Sequence, residues 1–214
     1  MEVARRETRN ARRVFVTGGT GYIGRPLIEV LVKRGHDVRA LVRPGSEHKL
    51  PPGCSALPGN ALDGSTFRDY VSDGDTFVQL IGTPHPGPAK AEEFKKVDLV
   101  SVRESVRVAQ PAPIMQEYIA VRSEGEVLLR ASNIPTTAIR PWYVLGPGHR
   151  WPYLMIPLYA IWNAIPSTRE TAQRLALVTR EQMIATLVAA IEVPASGFRM
   201  MTAQDIKRGG ASLR

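Results

Sequence analysis

The chain has 214 residues, of which 43% are hydrophobic and 22% are charged, and these proportions suit one globular domain with or without a small appendage. A single cysteine excludes a disulfide framework, and the sequence contains neither a membrane-spanning apolar run nor a signal-peptide-like apolar segment. The formal net charge of +8 favours anionic partners, such as nucleotide phosphates, nucleic acid or an anionic membrane face.

Part of the positive charge lies in a basic leader, residues 1–12, which carries Arg5, Arg6, Arg9 and Arg12. Neither an aromatic pattern nor a nucleic-acid-binding motif accompanies these arginines, so the sequence predicts a solvated tail and no specific nucleic-acid partner. We expect a cytoplasmic protein, and peripheral contact with a membrane stays open as an alternative.

Strand and helix patterns alternate through the first half of the chain. Residues 14–16, 36–42, 55–57 and 76–81 have strand character, whereas residues 22–34, 66–71 and 90–108 have helical spacing of their apolar positions. This alternation predicts an α/β fold with a doubly wound, Rossmann-type parallel sheet whose strands are joined by helical crossovers. Asp73 and Asp75 are interpreted as turn residues.

The second half predicts a helix over residues 118–131, a strand over 136–139, a loop over 141–148 and a helix over 180–191. We therefore divide the chain into the leader, a nucleotide-binding domain over residues 13–148 and a short C-terminal substrate cap over residues 149–214. The four histidines are scattered without carboxylates at ligand spacing, and no metal site is predicted.

A glycine-rich segment, TGGTGYIG, joins the first predicted strand to the first predicted helix. Glycines at such positions permit a tight turn, close approach of the backbone to a pyrophosphate, and close packing of helix on strand. The amino end of the helix then favours the phosphate charge. The sequence therefore predicts a dinucleotide site whose loop comprises Gly18, Gly19, Thr20, Gly21, Tyr22, Ile23 and Gly24.

The end of the second strand bears on which dinucleotide binds. Sites for NAD usually place an acidic residue there to bind the ribose 2′-hydroxyl, whereas this strand ends in Leu41, Val42 and Arg43. A guanidinium at that position can pair with a 2′-phosphate. We therefore expect NADP(H) as the favoured cofactor, with NAD(H) as the alternative.

These motifs resemble the short-chain dehydrogenase/reductase superfamily, and in particular its extended and atypical members, including NmrA-like proteins and the nucleotide-binding accessory subunit of respiratory complex I. The glycine segment is close to the signature of that group. The resemblance implies further cofactor contacts at Asn60, where the family often has an aspartate near the adenine, and at Ile81 and Gly82 after the fourth strand. It also implies nicotinamide contacts at Pro141 and Val144.

The family's catalytic pair is Tyr-x-x-x-Lys, and the match in this chain is Tyr118 and Arg122. In the family the lysine cation lowers the pKa of the tyrosine phenol, so that the phenol serves as a general acid or base. Arginine retains the charge but differs in shape and cannot lose its proton. The resemblance thus implies a catalytic helix with an altered partner residue.

A second departure concerns the fifth strand of the family, which ends in a catalytic serine. Residues 90–108 run into Gln110 and Pro111 with no apolar strand before Tyr118. Either residues 102–108 are recruited as a strand or the sheet lacks its fifth strand.

An apolar, aromatic segment at residues 151–166 suggests a lining for a small apolar substrate, a membrane-surface patch, or a core or subunit interface. Three functions remain open from the sequence: an oxidoreductase using NAD(P), a non-enzymatic NAD(P)-binding regulator or assembly subunit, and a peripheral membrane protein acting on quinone or lipid.

Overall fold

The structure is a computed structural model that describes residues 11–82, 95–109, 121–141, 143–147 and 176–209. The chain divides into two compact units, Met1–Ile134 and Pro135–Arg214. This division falls before the boundary at residue 148 that was drawn from the sequence. The assignment of residues 149–214 to substrate binding stays a prediction.

The first unit contains a parallel sheet of four strands. These are β1 (Arg13–Thr17), β2 (Asp37–Val42), β3 (Ser55–Pro58) and β4 (Thr76–Gln79), and helix α1 (Gly24–Lys33) connects β1 to β2. The spatial order is β3-β2-β1-β4, and every pairing is parallel. The predicted Rossmann-type α/β fold and the positions of its first four strands are therefore confirmed.

Strand β1 forms the centre of the sheet because its side chains are apolar on both faces. Val14, Phe15 and Val16 have no exposed surface. The ring of Phe15 lies 6.1 Å from that of Phe67 and 5.2 Å from that of Phe77, measured between centroids. A continuous apolar run is typical of a strand that is covered on both sides.

Helix α1 packs its apolar stripe inward, with Leu27, Ile28 and Leu31 fully buried. Its first turn holds Pro26, where the missing N–H costs little. The chain leaves the helix through Gly35, whose φ of +81° suits a residue without Cβ. The sequence predicted this helix and its end.

The segment between β3 and β4 differs from its prediction. A short helix was expected over residues 66–71, but the structure has two separate 3₁₀ turns, Gly64–Thr66 and Arg68–Tyr70. The first is capped by Asp63, whose carboxylate accepts from the Ser65 amide at 3.1 Å. Phe67, between the turns, is buried against Phe15 and Leu41. Burial of that ring, and not helix periodicity, decides the local conformation.

Asp75 closes a turn, as was interpreted from the sequence, since its amide donates to the Ser72 carbonyl at 3.1 Å and its carboxylate accepts from the Ser72 amide at 2.8 Å. Its side chain is 1% exposed and forms ion pairs with Arg39 and, at 3.2 Å, with Arg13. The Arg39 guanidinium also donates to the Tyr70 carbonyl at 3.0 Å. The carboxylate therefore ties the amino ends of β1, β2 and β4 together. Pairing compensates for the cost of burying its charge.

In the described part of the first unit, helices α2 (Val100–Ala109) and α3 (Val121–Ala131) follow β4, and a π-helical turn, Lys95–Leu99, precedes α2. Residues 102–108 are helical, so their recruitment as a strand is excluded. Within the described ranges, no fifth strand pairs with β4 in this sheet. Residues 110–120, where a fifth strand would have to form, lie outside the described residues.

Among its described residues, the second unit contains two two-stranded parallel ladders. Strand β5 (Thr136–Ile139) pairs with β8 (Phe198–Met201), and β6 (Tyr143–Leu145) pairs with β7 (Leu177–Thr179). Helix α4 (Arg180–Glu192) follows β7, and the short helix α5 (Ala203–Lys207) follows β8. Strand β5 and helix α4 were predicted. Strand β6 was expected to be loop, and its pairing with a segment distant in sequence explains the difference.

Candidate nucleotide-binding site

The glycine segment forms a tight turn between β1 and α1. The Gly21 amide donates to the Gly18 carbonyl at 3.0 Å, and the Arg25 amide donates to the Gly21 carbonyl at 3.1 Å. The chain thus reverses at the carboxyl end of the central strand and enters the helix directly. Parallel α/β sheets bind ligands at this edge, and the amino end of a helix presents N–H groups that lack partners within the helix.

Steric contacts distinguish the three spaced glycines. A Cβ on Gly18 would lie 2.8 Å from the carbonyl carbon of Leu80, and the φ of Gly18 is +76°. A Cβ on Gly24 would collide with the carbonyl oxygen of Gly18 and with Cα of Gly19. A Cβ on Gly21 would meet only the carbonyl oxygen of Gly18, at 3.2 Å. The fold therefore demands Gly18 and Gly24, whereas Gly21 is exposed and leaves room above the loop.

The other predicted loop residues occupy different environments. Gly19 is buried, and a Cβ there would lie 2.8 Å from Cδ1 of Ile28 and 3.1 Å from Cβ of Ala40. Thr20 is exposed, while Tyr22 and Ile23 are half-buried. Gly19 thus allows α1 to pack closely on β2, and the exposed face of the loop is formed at Thr20 and Gly21.

Thr17, the last residue of β1, was missed by the sequence reasoning. Its side chain is fully buried, and its hydroxyl has no hydrogen-bond partner among the described residues. A buried hydroxyl without a partner is costly, and it lies one residue before the glycine turn. Its position between an apolar strand and a glycine was the signal available in the sequence.

Arg43 follows β2 at the same edge of the sheet and is exposed. Its carbonyl accepts from the Ser46 amide at 3.0 Å, which begins a turn through Gly45. The Glu47 carboxylate accepts from the Gly45 amide at 3.1 Å. Arg39, the other arginine of this strand, is committed to Asp75. Arg39 is therefore held by an ion pair, whereas Arg43 remains accessible to a ligand.

Asn60 lies just beyond β3 and is exposed. The Gly59 amide donates to the Val42 carbonyl at 2.8 Å, which places this loop beside the end of β2. In the same loop, hydrogen bonds from Ser65 hold the pKa of the Asp63 carboxyl below its usual value.

Burial raises the pKa of the Cys54 thiol to about 11, so the chain's single cysteine is not a thiolate at neutral pH.

The end of β4 lies beside the glycine turn. The Leu80 amide donates to the Thr17 carbonyl at 3.1 Å, so Ile81 and Gly82 continue from that edge. The Gln79 amide nitrogen donates to the Ser101 hydroxyl at 2.7 Å, which ties β4 to helix α2. A Cβ on Gly82 would lie 3.1 Å from a carboxylate oxygen of Asp98. The structure therefore brings the predicted residues of β1, β2, β3 and β4 to one edge.

The predicted catalytic and nicotinamide residues are described less fully. Tyr118 lies outside the described residues, and Arg122 is placed only through the backbone of α3. Pro141 is half-buried in the second unit. Val144 belongs to β6 and pairs with Val178, where a loop had been expected. The roles of these four residues stay predictions.

The described residues contain neither a candidate metal centre nor a candidate membrane span. In those ranges no group of three or more His, Cys, Asp or Glu residues could hold a metal ion. Similarly, none of the helices assigned there is long and apolar enough to cross a membrane. The aromatic segment at residues 151–166 lies outside the described residues.

Comparison with protein families and with curated proteins supports the resemblance. The NmrA-like family model matches residues 10–57. The ceramide reductase of Caulobacter vibrioides is 26% identical over 213 residues, which cover 92% of this chain and 66% of that protein. The 3-beta-hydroxysteroid dehydrogenase of Mycolicibacterium neoaurum is 28% identical over 126 residues, which cover 54% of this chain and 33% of that protein. The chain thus spans less than two thirds of these relatives.

Solved structures agree in fold. A short-chain dehydrogenase/reductase superfamily protein from Agrobacterium tumefaciens with bound NAD is 15% identical, with a TM-score of 0.60 and coverage of 89% of this chain and 77% of that one. The Bordetella bronchiseptica enzyme WbmG in complex with NAD is 18% identical, with a TM-score of 0.59 and coverage of 92% and 76%. The predicted resemblance is therefore confirmed: the chain is similar to the NmrA-like and extended short-chain dehydrogenase/reductase proteins in its amino-terminal sequence and in its Rossmann-type fold.

Proposed function

We propose that this chain binds a nicotinamide dinucleotide at the glycine turn and serves as an oxidoreductase that prefers NADP(H) to NAD(H). The observation that carries the proposal is the contrast within the turn. Gly18 and Gly24 are closed in by backbone, whereas Gly21 is exposed with space above it. Such a turn at the carboxyl end of a central parallel strand suits a pyrophosphate.

The residues at this edge fit the remaining parts of the cofactor. Arg43 can pair with a 2′-phosphate, because it is exposed at the end of β2 and its neighbour Arg39 is held by Asp75. Ile81 and Gly82 continue from β4 on the other side of the turn. NAD in the Agrobacterium and Bordetella proteins supports a nicotinamide dinucleotide but does not distinguish the phosphorylated form.

The substrate we propose is a small apolar molecule with a carbonyl or hydroxyl group. The names of the relatives support this class, since they include a ceramide reductase, a steroid dehydrogenase and a farnesyl-dihydroquinoline-oxide ketoreductase from Stigmatella aurantiaca. The aromatic segment at residues 151–166 has the composition expected of a lining for such a molecule. Contact with the surface of a membrane would be one way for the protein to reach an apolar substrate.

In this proposal the protein positions the reactants and moves one proton. When bound, a reduced nicotinamide supplies a hydride to the carbonyl carbon of the substrate. The carbonyl oxygen then needs a proton. Tyr118 would donate that proton, with the Arg122 cation lowering the pKa of the phenol. Pro141 and Val144 would hold the carboxamide end.

A second candidate is a non-enzymatic protein that binds NAD(P) as a regulator or assembly subunit. Two observations favour it. Arg122 stands where the family has lysine, and residues 102–108 are helical, so that they supply no strand ending in a serine. In that case the chain would bind NAD(P) without catalysing a reaction.

Titration calorimetry of the full chain with NADPH and NADH tests the cofactor preference. A charge-assisted phosphate contact is worth roughly 1.5–3 kcal/mol, so we expect NADPH to bind about tenfold to a hundredfold more tightly. Arg43→Ala should remove this difference and leave NADH binding unchanged. The matched control is Arg34→Ala, an exposed arginine at the other end of α1. Equal affinity of the wild-type chain for both cofactors would contradict the preference.

Turnover separates the two candidate functions. NADPH oxidation by the wild-type chain is measured with a panel of steroid ketones, quinones and long-chain ketones. NADPH binding to the same chain is measured in parallel. Turnover that Tyr118→Phe abolishes, with NADPH binding retained, supports the oxidoreductase. Tight binding without turnover across the panel supports the regulator or assembly subunit.

A further inference from the structure

The segment that follows β2, residues 43–50, is hydrogen bonded along its length. The Ser46 amide donates to the Arg43 carbonyl at 3.0 Å, and the Lys49 amide donates to the Ser46 carbonyl at 3.1 Å. The second turn therefore begins at the residue that closes the first, and Leu50 follows at its end. Because these turns join one end of the segment to the other, the place of Arg43 depends on what holds Leu50.

Leu50 is packed against the glycine turn. Its Cδ2 lies 3.3 Å from the position that a Cβ on Gly19 would occupy, and Cδ1 of Ile28 and Cβ of Ala40 lie 2.8 Å and 3.1 Å from the same position. Gly19 itself is buried. The leucine side chain thus fits into the space that the glycine leaves open, where α1 and β2 converge.

The chain beyond Leu50 continues along α1. Pro51 is buried, and a Cβ on Gly53 would lie 2.7 Å from Cγ1 of Val32. Val32 lies one helical turn after Ile28, the residue of α1 that shares the contact with Leu50. The chain after the turns is therefore held along the helix whose amino end borders the glycine turn.

The residues between these anchors are open to solvent. All of residues 43–49 are exposed except Ser46, which is half-buried, whereas Val42 before them is buried in β2. The exposed segment that carries Arg43 is thus fixed at its first end by the sheet and at its second end by the packing of Leu50.

A segment that is held in place and one that is free differ in the cost of binding an anion. Ordering a loop when a ligand binds costs free energy, and a loop that is already fixed avoids most of that cost. The cost would fall on NADPH, whose 2′-phosphate would meet Arg43. NADH has no such phosphate and would be spared.

We propose that Leu50 is a positioning residue for Arg43, which it holds beside the glycine turn by packing against Gly19, and that it thereby contributes to the preference for NADP(H). This inference rests on the proposed pairing of Arg43 with a 2′-phosphate. It assigns Leu50 no contact with the cofactor.

Calorimetry of the full chain with NADPH and NADH tests the proposal through Leu50→Ala. Loss of the packing should weaken NADPH binding about threefold to tenfold and change NADH binding by less than about twofold. Leu50→Met keeps an apolar side chain of similar volume and should retain most of the preference. Leu62→Ala, in an exposed leucine of the loop after β3, is the matched control and should leave the ratio of the two dissociation constants unchanged.

A double-mutant cycle shows whether Leu50 acts through Arg43. In the Arg43→Ala background, Leu50→Ala should change NADPH binding by less than about twofold, because the cation that it positions is already absent. Independent effects of the two substitutions would overturn the proposal, as would equal weakening of both cofactors by Leu50→Ala. Leu50→Val is the smaller truncation and gives the same comparison where Leu50→Ala unfolds the chain.

The wild-type chain and Arg43→Ala separate an error about Leu50 from an error about the site. Failure of both cofactors to bind the folded wild-type chain overturns the dinucleotide site, and equal affinity for both overturns the role of Arg43 and with it that of Leu50. A preference that Arg43→Ala abolishes and Leu50→Ala leaves intact overturns this inference alone.

Discussion

The two units of this chain hold their strands together by different means. In the first unit, one four-stranded sheet surrounds a central strand with fully buried side chains, and the glycine turn brings backbone against backbone. In the described part of the second, the strands form two separate pairs, and a side-chain hydrogen bond links the strands of one pair. The Arg199 guanidinium joins β8 to β5 by donating to the Thr137 hydroxyl at 2.9 Å.

This difference indicates how each unit should respond to substitution. Where backbone packs against backbone, there is no space for an added methyl group. The neighbouring atoms can move aside only at a large cost in free energy. Where a single side-chain hydrogen bond links two short strands, its loss removes about 1 kcal/mol and little else. The proposed nucleotide site therefore rests on the stiffer framework.

The largest effect is expected for Gly24→Ala. Its Cβ would collide with backbone atoms of Gly18 and Gly19, so we expect a loss of about 3 kcal/mol in the free energy of unfolding, measured in urea. Gly125→Ala is the matched control in helix α3, where the new Cβ would lie 3.5 Å from Val102. That change should be neutral or stabilise by about 0.5–1 kcal/mol. Equal losses in both variants would contradict the steric argument.

Gly21→Val should separate binding from folding within the same turn. Its Cβ would meet only the Gly18 carbonyl oxygen, at 3.2 Å, so the loss of stability should stay below about 1 kcal/mol. The exposed side chain would obstruct the approach of the phosphates and weaken NADPH binding about tenfold to a hundredfold in calorimetry. Gly197→Val, in open space in the second unit, is the control and should bind normally. Unimpaired binding by the Gly21 variant would place the phosphates elsewhere.

In the second unit, Thr137→Val removes the hydroxyl that receives the Arg199 guanidinium. We expect a loss of about 1 kcal/mol in unfolding free energy, because Arg199 retains its bond to the Val193 carbonyl at 2.8 Å. Thr76→Val in β4 is the control, since its hydroxyl has no recorded partner among the described residues. It should change stability by less than about 0.5 kcal/mol. A loss at Thr137 as large as that at Gly24 would remove the contrast between the units.

Asp205→Ala should give the smallest effect and one that depends on pH. The Asp205 carboxylate accepts from the Thr202 amide at 2.8 Å and from its hydroxyl at 2.7 Å, and these bonds lower its pKa below the ordinary 3.8. A lowered pKa stabilises the folded state above the ordinary value, and this contribution is lost as the pH falls through the lowered one. Thermal melting should therefore show a deficit of about 0.5–1 kcal/mol near pH 7. The deficit should shrink as the pH falls below the ordinary pKa of the carboxyl group, and one that is independent of pH would exclude the carboxylate as its cause.

Local patterns were sufficient to predict much of the first unit. Strand β1 is a continuous apolar run, helix α1 repeats its apolar residues at helical spacing and ends at a glycine, and the turn between them contains a recognisable glycine motif. The structure confirms these elements because their main determinants lie within the segment itself. The edge at which Arg43, Asn60 and Gly82 follow their strands was likewise implied by the order of parallel strands.

What the sequence missed depends on partners far along the chain. The turn at Asp75 was predicted but its ion pairs were not, because Arg13 and Arg39 belong to β1 and β2, which lie far from Asp75 in the sequence. Strand β6 is three residues long and forms because β7 lies beside it. The hydrogen bond from the Leu62 amide to the Asn60 side-chain oxygen was also invisible, since it requires the bend that brings these two groups together.

The double pairing of β1 has a consequence for amide hydrogen exchange. Val14 lies opposite Val38 on one side and Thr76 on the other, and Phe15 and Val16 are enclosed in the same way. Amides in such a strand exchange with solvent water only when the whole unit opens, whereas those of the edge strand β3 exchange through smaller openings. A ligand that binds the folded chain at the adjoining turn lowers the population of that global opening. Deuterium uptake at three consecutive amides of β1 thus reports cofactor binding directly, without a substrate or a measurable reaction.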